Sequence, residues 1–204
     1  MSYPRRIQKP NLTYHVYSAC INKENYLSSK RAKDMFLDVI RMAQEKYDFR
    51  LHAYQIMENH FHIVLMTLNA HDTVSSIVQY VKSVFARKLN METGRSGPLW
   101  NRRFHDTIIE TAREAFLYFL WVLWAIAYNP VRKGIIETLD FFSKYSSIGF
   151  YLEETFVSPL NMNLPDVFTG LGATFEERKK EFELYHHIFL PQLSGPDYQH
   201  FLPE

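Results

Sequence analysis

Two histidines two residues apart, in Asn59-His60-Phe61-His62, are the residues of this chain best spaced for chemistry. In an extended strand, side chains at i and i+2 share a face, so His60 and His62 project together while Phe61 and Ile63 point away. Neutral imidazoles are ligands for Mn, Zn, Fe, Ni or Cu and can join oxygen donors on Mg or Mn. The bland alternative is a pair of partly exposed histidines on a strand. His15, His52, His71, His105, His186, His187 and His200 offer no comparable spacing.

Two further segments carry candidate side chains. In Trp100-Asn101-Arg102-Arg103-Phe104-His105, alternation places Trp100, Arg102 and Phe104 on one face of an extended segment, with Arg103 on the other. Aromatics beside arginines suit base stacking and phosphate contact, against the plain reading of a solvated edge strand. In Tyr128-Asn129-Pro130-Val131-Arg132-Lys133-Gly134, an amide closes a very apolar stretch and two cations follow. Helix capping is the ordinary use of such an asparagine.

The elements that must position these groups follow from periodicity. Tyr14 to Ile21 predicts a strand, and Ser28 or Ser29 can cap a helix over Ala32 to Tyr47. Leu51 to Met57 and His60 to Met66 predict a hairpin across Glu58-Asn59. A second helix is expected over Val74 to Asn90, with Lys82, Arg87 and Lys88 outside as phosphate-contact candidates beside Arg132 and Lys133. Leu99 to Ile109 reads as extended, Thr111 to Asn129 as an apolar helix stopped by Pro130, and Lys179 to Phe189 as a short helix. The order β-α-β-β-α-β suits a ferredoxin-like (RRM-like) α+β fold: an antiparallel sheet with helices on one face, plus a C-terminal helical or irregular extension.

Composition bounds the rest. The 204 residues fit one domain with an appendage, expected here as 1–149 and 150–204. The single cysteine, Cys20, forbids an internal disulfide and any cysteine-built zinc or iron-sulfur site. No secretory h-region and no bilayer-length apolar run is visible, so no membrane partner is expected and a reducing cytoplasm is the default compartment. The net charge of +1 hides an asymmetry: residues 1–149 hold 20 Lys and Arg against 13 Asp and Glu, whereas residues 150–204 hold 3 against 9. The first part can face a polyanion, and the acidic tail cannot.

Taken in order, Met57-Glu58-Asn59-His60-Phe61-His62-Ile63-Val64-Leu65, Trp100 to Phe104, Asn129 to Gly134, and Lys144-Tyr145-Ser146-Ser147 with Tyr151-Leu152 resemble the single-tyrosine HUH transposases, in particular the REP-associated tyrosine transposases. The likeness covers roughly residues 8 to 152 and more faintly reaches about 190. It implies a divalent ion, Mg or Mn, on His60 and His62, completed by Asn129. It implies a hairpin or single-stranded substrate from a palindromic repeat, a monomer or homodimer, and a bacterial, nucleoid-associated setting. A tyrosine one helical turn before the polar ligand would attack phosphorus, leaving a 5′-phosphotyrosine and a free 3′ hydroxyl. At that position stands Ala125, which has no nucleophile. Three explanations stay open: a deliberate tyrosine-to-alanine change, natural loss of cleavage, or relocation to Tyr128 or Tyr118. The alternatives to a DNA-processing enzyme are a non-catalytic DNA-binding or regulatory protein of transposase descent and a histidine-metal enzyme acting on a small molecule.

Overall fold

In the computed structural model, which describes residues 7–101 and 103–194, the strands are β1 (Thr13–Ala19), β2 (Phe49–Ile56), β3 (His60–Thr67) and β4 (His105–Ile108). They form one antiparallel sheet in the order β2-β3-β1-β4. The crossovers α1 (Lys30–Lys46) and α2 (Val74–Thr93) lie between β1 and β2 and between β3 and β4. This is the expected ferredoxin-like frame.

Local chemistry explains its helices. Ser29 caps α1 by accepting from the Ala32 N–H at 3.1 Å, and Thr73 caps α2 by accepting from Ser76 N at 3.2 Å. α2 ends at Gly94, whose φ of 66° is a left-handed closing residue. The apolar stripe of α1, including Ala32, Phe36, Val39, Ile40 and Ala43, packs with Ile77, Val81 and Phe85 of α2. Both helices cover the sheet face made by Tyr14, Val16, Phe61, Ile63 and Leu65. The first core is thus dry and aromatic, with Phe36 4.8 Å from Phe61 and 5.0 Å from Phe85 between ring centres.

Several elements depart from expectation. Among the described residues of the segment expected to be extended, only His105–Ile108 form a strand, and Trp100 makes an isolated bridge to Cys20. The apolar helix α3 is shorter (Ala115–Ala127), and Pro130 does not end the helical path. The chain bends at Tyr128 and starts a new turn, α4 (Asn129–Arg132), with Pro130 in the first turn, where a missing N–H costs nothing. That turn closes at Gly134, φ 65°.

α3 lies on the sheet face opposite α1 and α2, in a second core with Ala53 and Val64. Its residues Phe119 to Ala127 are all buried, which requires cover on both sides. The far cover is the C-terminal region: α5 (Gly149–Leu152), α6 (Asp166–Thr169) and α7 (Phe175–Ser194). Trp124 stacks on Phe182 at 4.6 Å, and Tyr151, Leu152, Phe168 and Phe189 join the same core. The boundary expected after residue 149 falls inside α5, where a Cβ at Gly149 would run into the Phe141 carbonyl and the Phe156 ring. The extension is also stitched along β2: Asn163 N donates to Leu51 O at 2.8 Å and Tyr151 Oη to His52 O at 2.6 Å. No helix of the described residues is long and apolar enough to cross a membrane.

Candidate functional site

Strand alternation places His60 and His62 on the α3 side of the sheet, their ring centres 5.4 Å apart. Across the ladder, Tyr17 stands opposite His62 and His105 opposite Tyr17. The Tyr17 ring lies 5.4, 5.0 and 6.0 Å from the His60, His62 and His105 rings. From above, the bend after α3 drops Asn129 onto the pair, its Nδ2 3.3 Å from His62 Nε2 and 3.4 Å from the Ala125 carbonyl. Asn129 is buried, and besides meeting the Ala125 carbonyl at the end of α3 it brings one carboxamide to the two imidazoles.

Both imidazoles are held neutral, as ligation requires. Burial lowers His60 to about 4, with a further push from the Lys133 and Arg132 charges partly offset by Asn129. His62 falls well below the ordinary histidine value through burial, then the neighbouring His15 and His60, then Arg132. His15, also buried, is lowered to about 4 by burial, and its Nε2 lies 3.0 Å from His62 Nδ1. Among the described residues no cluster of three or more His, Cys, Asp or Glu side chains could hold a metal, and the Asn129 carboxamide is the polar group that stands beside the two imidazoles. The three residues fit a cation. Asn129 Nδ2 lies 3.3 Å from His62 Nε2, and presenting Oδ1 to a cation instead requires the carboxamide to turn over and give up its contact with the Ala125 carbonyl. His60, His62 and Asn129 would hold a hard divalent ion, which when bound would polarise a phosphodiester oxygen as a Lewis acid.

Ala125 lies one turn before Asn129 and is 1% exposed. Its carbonyl accepts from Asn129 Nδ2 and from Arg132 Nη2 at 3.1 Å, which ties the cation-bearing turn to the site. Tyr128 is directed elsewhere: its hydroxyl is 2.6 Å from His186 Nε2 on α7, and His186 in turn stacks on Trp124 at 4.3 Å. Burial raises the Tyr128 pKa above the ordinary phenol value.

The other expected residues divide. Trp100 and Phe104 are 8% and 7% exposed and belong to the first core, which corrects their reading as base platforms. The Trp100 indole donates to Lys82 O at 2.9 Å and packs against Phe36, Phe61 and Phe85. Lys82, expected outside, is buried, its Nζ donating to Asn101 O at 3.2 Å. Arg87, Lys88 and Lys133 are exposed and Arg103 and Arg132 half-buried, whereas Arg102 lies outside the described residues. His15, Tyr17 and His105 were not singled out by spacing. Only the alternation of His15 and Tyr17 along β1 hinted at them, and their partners belong to strands remote in sequence.

Comparison with known proteins follows this geometry. The family model described as "Transposase IS200 like" matches residues 8–117, more than half of the chain and including His60 and His62, though it stops short of Ala125 and Asn129. A Haemophilus influenzae (strain Rd) protein that carries the name REP-associated tyrosine transposase is 24% identical over 113 residues, 51% of this chain. The chain spans 62% of that relative's length. A solved structure of a REP-associated tyrosine transposase bound to a REP hairpin superposes with a TM-score of 0.60 at 17% identity, covering 81% of this chain and 94% of the other. That likeness shows a shared fold. With a matching family model over most of the sheet and its histidine pair, the chain belongs to the IS200-like transposase family.

Proposed function

We propose that this protein binds hairpin or single-stranded DNA from a palindromic repeat, holds Mg or Mn on His60, His62 and Asn129, and lacks the nucleophile with which relatives of its kind cut DNA. The observation that carries this reading is the meeting of Asn129 with the histidine pair one helical turn after an alanine. The hairpin-bound relative supports the choice of DNA. Arg132 and Lys133 bring positive charge to the same site, strong enough to depress His60, and the same field attracts a phosphate. Such a protein works at the DNA of a bacterial cytoplasm.

The test is Ala125→Tyr with Mn or Mg and a labelled hairpin carrying a single-stranded flank. In a cleaving variant the phenol oxygen bonds to phosphorus, the P–O3′ bond breaks and the departing 3′ oxygen takes a proton, so a covalent protein-DNA adduct accumulates. Ala125 is buried, so the new ring must open its surroundings, and retained hairpin binding is the control for folding. No adduct over a broad panel of hairpins, with binding intact, would favour the second reading, a non-catalytic DNA-binding protein of transposase descent, which Ala125 itself supports. A small-molecule metal enzyme would instead bind the ion without DNA affinity that falls steeply with salt.

A further inference from the structure

Resting on the metal reading above, we infer that Asn59 and His15 are positioning residues that decide which nitrogen of His60 and of His62 carries the lone pair. The Lys23 carbonyl can only accept, and Asn59 Nδ2 donates to it at 3.1 Å and to Asn25 Oδ1 at 3.1 Å. The other end of that carboxamide, Oδ1, can only accept, and it lies 2.7 Å from His60 Nδ1. His60 therefore carries its proton on Nδ1 and leaves Nε2 as a lone pair. The loop that presents Lys23 contains two successive left-handed residues, Asn22 and Lys23 at φ 52° and 57°, so the carbonyl is delivered by a backbone turn that side chains rarely favour.

The same logic runs through His62 from the opposite side. Asn129 Nδ2 donates to the Ala125 carbonyl, again an obligate acceptor, and to His62 Nε2, which must then hold a lone pair. The His62 proton sits on Nδ1 and is given to His15 Nε2 at 3.0 Å, placing the His15 proton on its Nδ1. Two independent chains of hydrogen bonds, one from the Lys23 carbonyl through Asn59 and one from the Ala125 carbonyl through Asn129, thus leave both Nε2 atoms with a lone pair, and His15 accepts the His62 Nδ1 proton. Partners of this kind orient metal-bound imidazoles, and their loss typically weakens metal affinity about 10- to 100-fold.

Two measurements on the full chain test this. In metal-free protein with 15N-labelled histidine, two-bond proton-nitrogen correlations above pH 7 should show both His60 and His62 protonated on Nδ1. Asn59→Ala should mix the His60 tautomers and His15→Phe those of His62, each weakening Mn2+ binding, followed by the free-ion EPR signal, by about 10- to 100-fold. Asn59→Asp keeps an acceptor for His60 Nδ1 while losing the donor to Lys23. It should restore the tautomer, separating this role from simple tying of the loop, and His15→Gln should do the same for His62. Nε2-protonated His60 or His62 in the unaltered protein, or alanine and phenylalanine variants with unchanged Mn2+ affinity, would overturn the inference. Nδ1-protonated rings in a protein that binds no Mn2+ would instead overturn the metal reading and leave the tautomer assignment standing.

Discussion

The two faces of the sheet are made by the same strands, residue by residue in alternation, yet they solve opposite problems. On the α1/α2 face, Tyr14, Val16, Phe61, Ile63 and Leu65 meet aromatic rings in a dry core. On the other face the same strands carry His15, Tyr17, His60 and His62, and α3 packs with Ala53 and Val64, with Asn129 coming down just beyond its end. One face holds the fold together. The other keeps polar groups buried with most of them hydrogen-bonded, as burial demands, although Gln55 Oε1 beside His62 has no hydrogen-bond partner among the described residues.

The sharpest way to break this comparison is to remove the cover of the polar face. Deleting residues 153–204 would strip Phe168, Phe182 and Phe189 from the core around Trp124, and the truncated chain should be insoluble or unfolded by circular dichroism. A folded, soluble product with stronger DNA binding would instead make the acidic tail an electrostatic screen. Next comes Phe61→Ala on the dry face, expected to cost about 3–5 kcal/mol in urea unfolding. A value below about 1 kcal/mol would mean that this core is loosely packed.

The polar face should announce itself in acid. The pKa of folded His15, about 4, is below the unfolded value of 6.5, so the folded state binds fewer protons. Its stability contribution is whole above pH 6.5 and is lost as pH falls toward 4, on the order of 3 kcal/mol from His15 alone. His60, also lowered to about 4, adds to the loss over the same window. Unfolding free energy that stays flat from pH 7 to 4 would contradict neutral buried histidines. The smallest effect separates the cations. Lys133→Gln, on the site's side, should weaken hairpin binding and lower the salt slope by about 1, whereas Arg87→Gln and Lys88→Gln, on the helix layer behind the sheet, should change both less. Equal effects would mean that the DNA wraps both faces.

Much of the frame was legible because it is local. Ser29 capping, the stripe of α1 and the shared face of His60 and His62 all follow from residues within a few positions of one another. Pro130 misled because the same ring that blocks a helix interior fits a first turn, and the bend at Tyr128 that allows it is set by tertiary packing. Trp100 misled because composition beside arginine says nothing of burial; only the arrival of Phe36, Phe61 and Phe85 makes it core. His15 was invisible for another reason. It reaches His62 across 47 residues of sequence, through a strand register that no spacing within β1 can reveal.

Cys20, sealed at the end of β1 beside Trp100, has a practical corollary. Burial pushes its thiol up to about 12, so almost no thiolate is present at neutral pH. The folded protein should therefore ignore maleimides and air alike, and cross-linked pairs on a non-reducing gel would report opened molecules rather than a native assembly. A cysteine engineered beside Lys133 would then be the sole reactive handle, ready to carry a fluorophore or to trap a thiol-modified oligonucleotide.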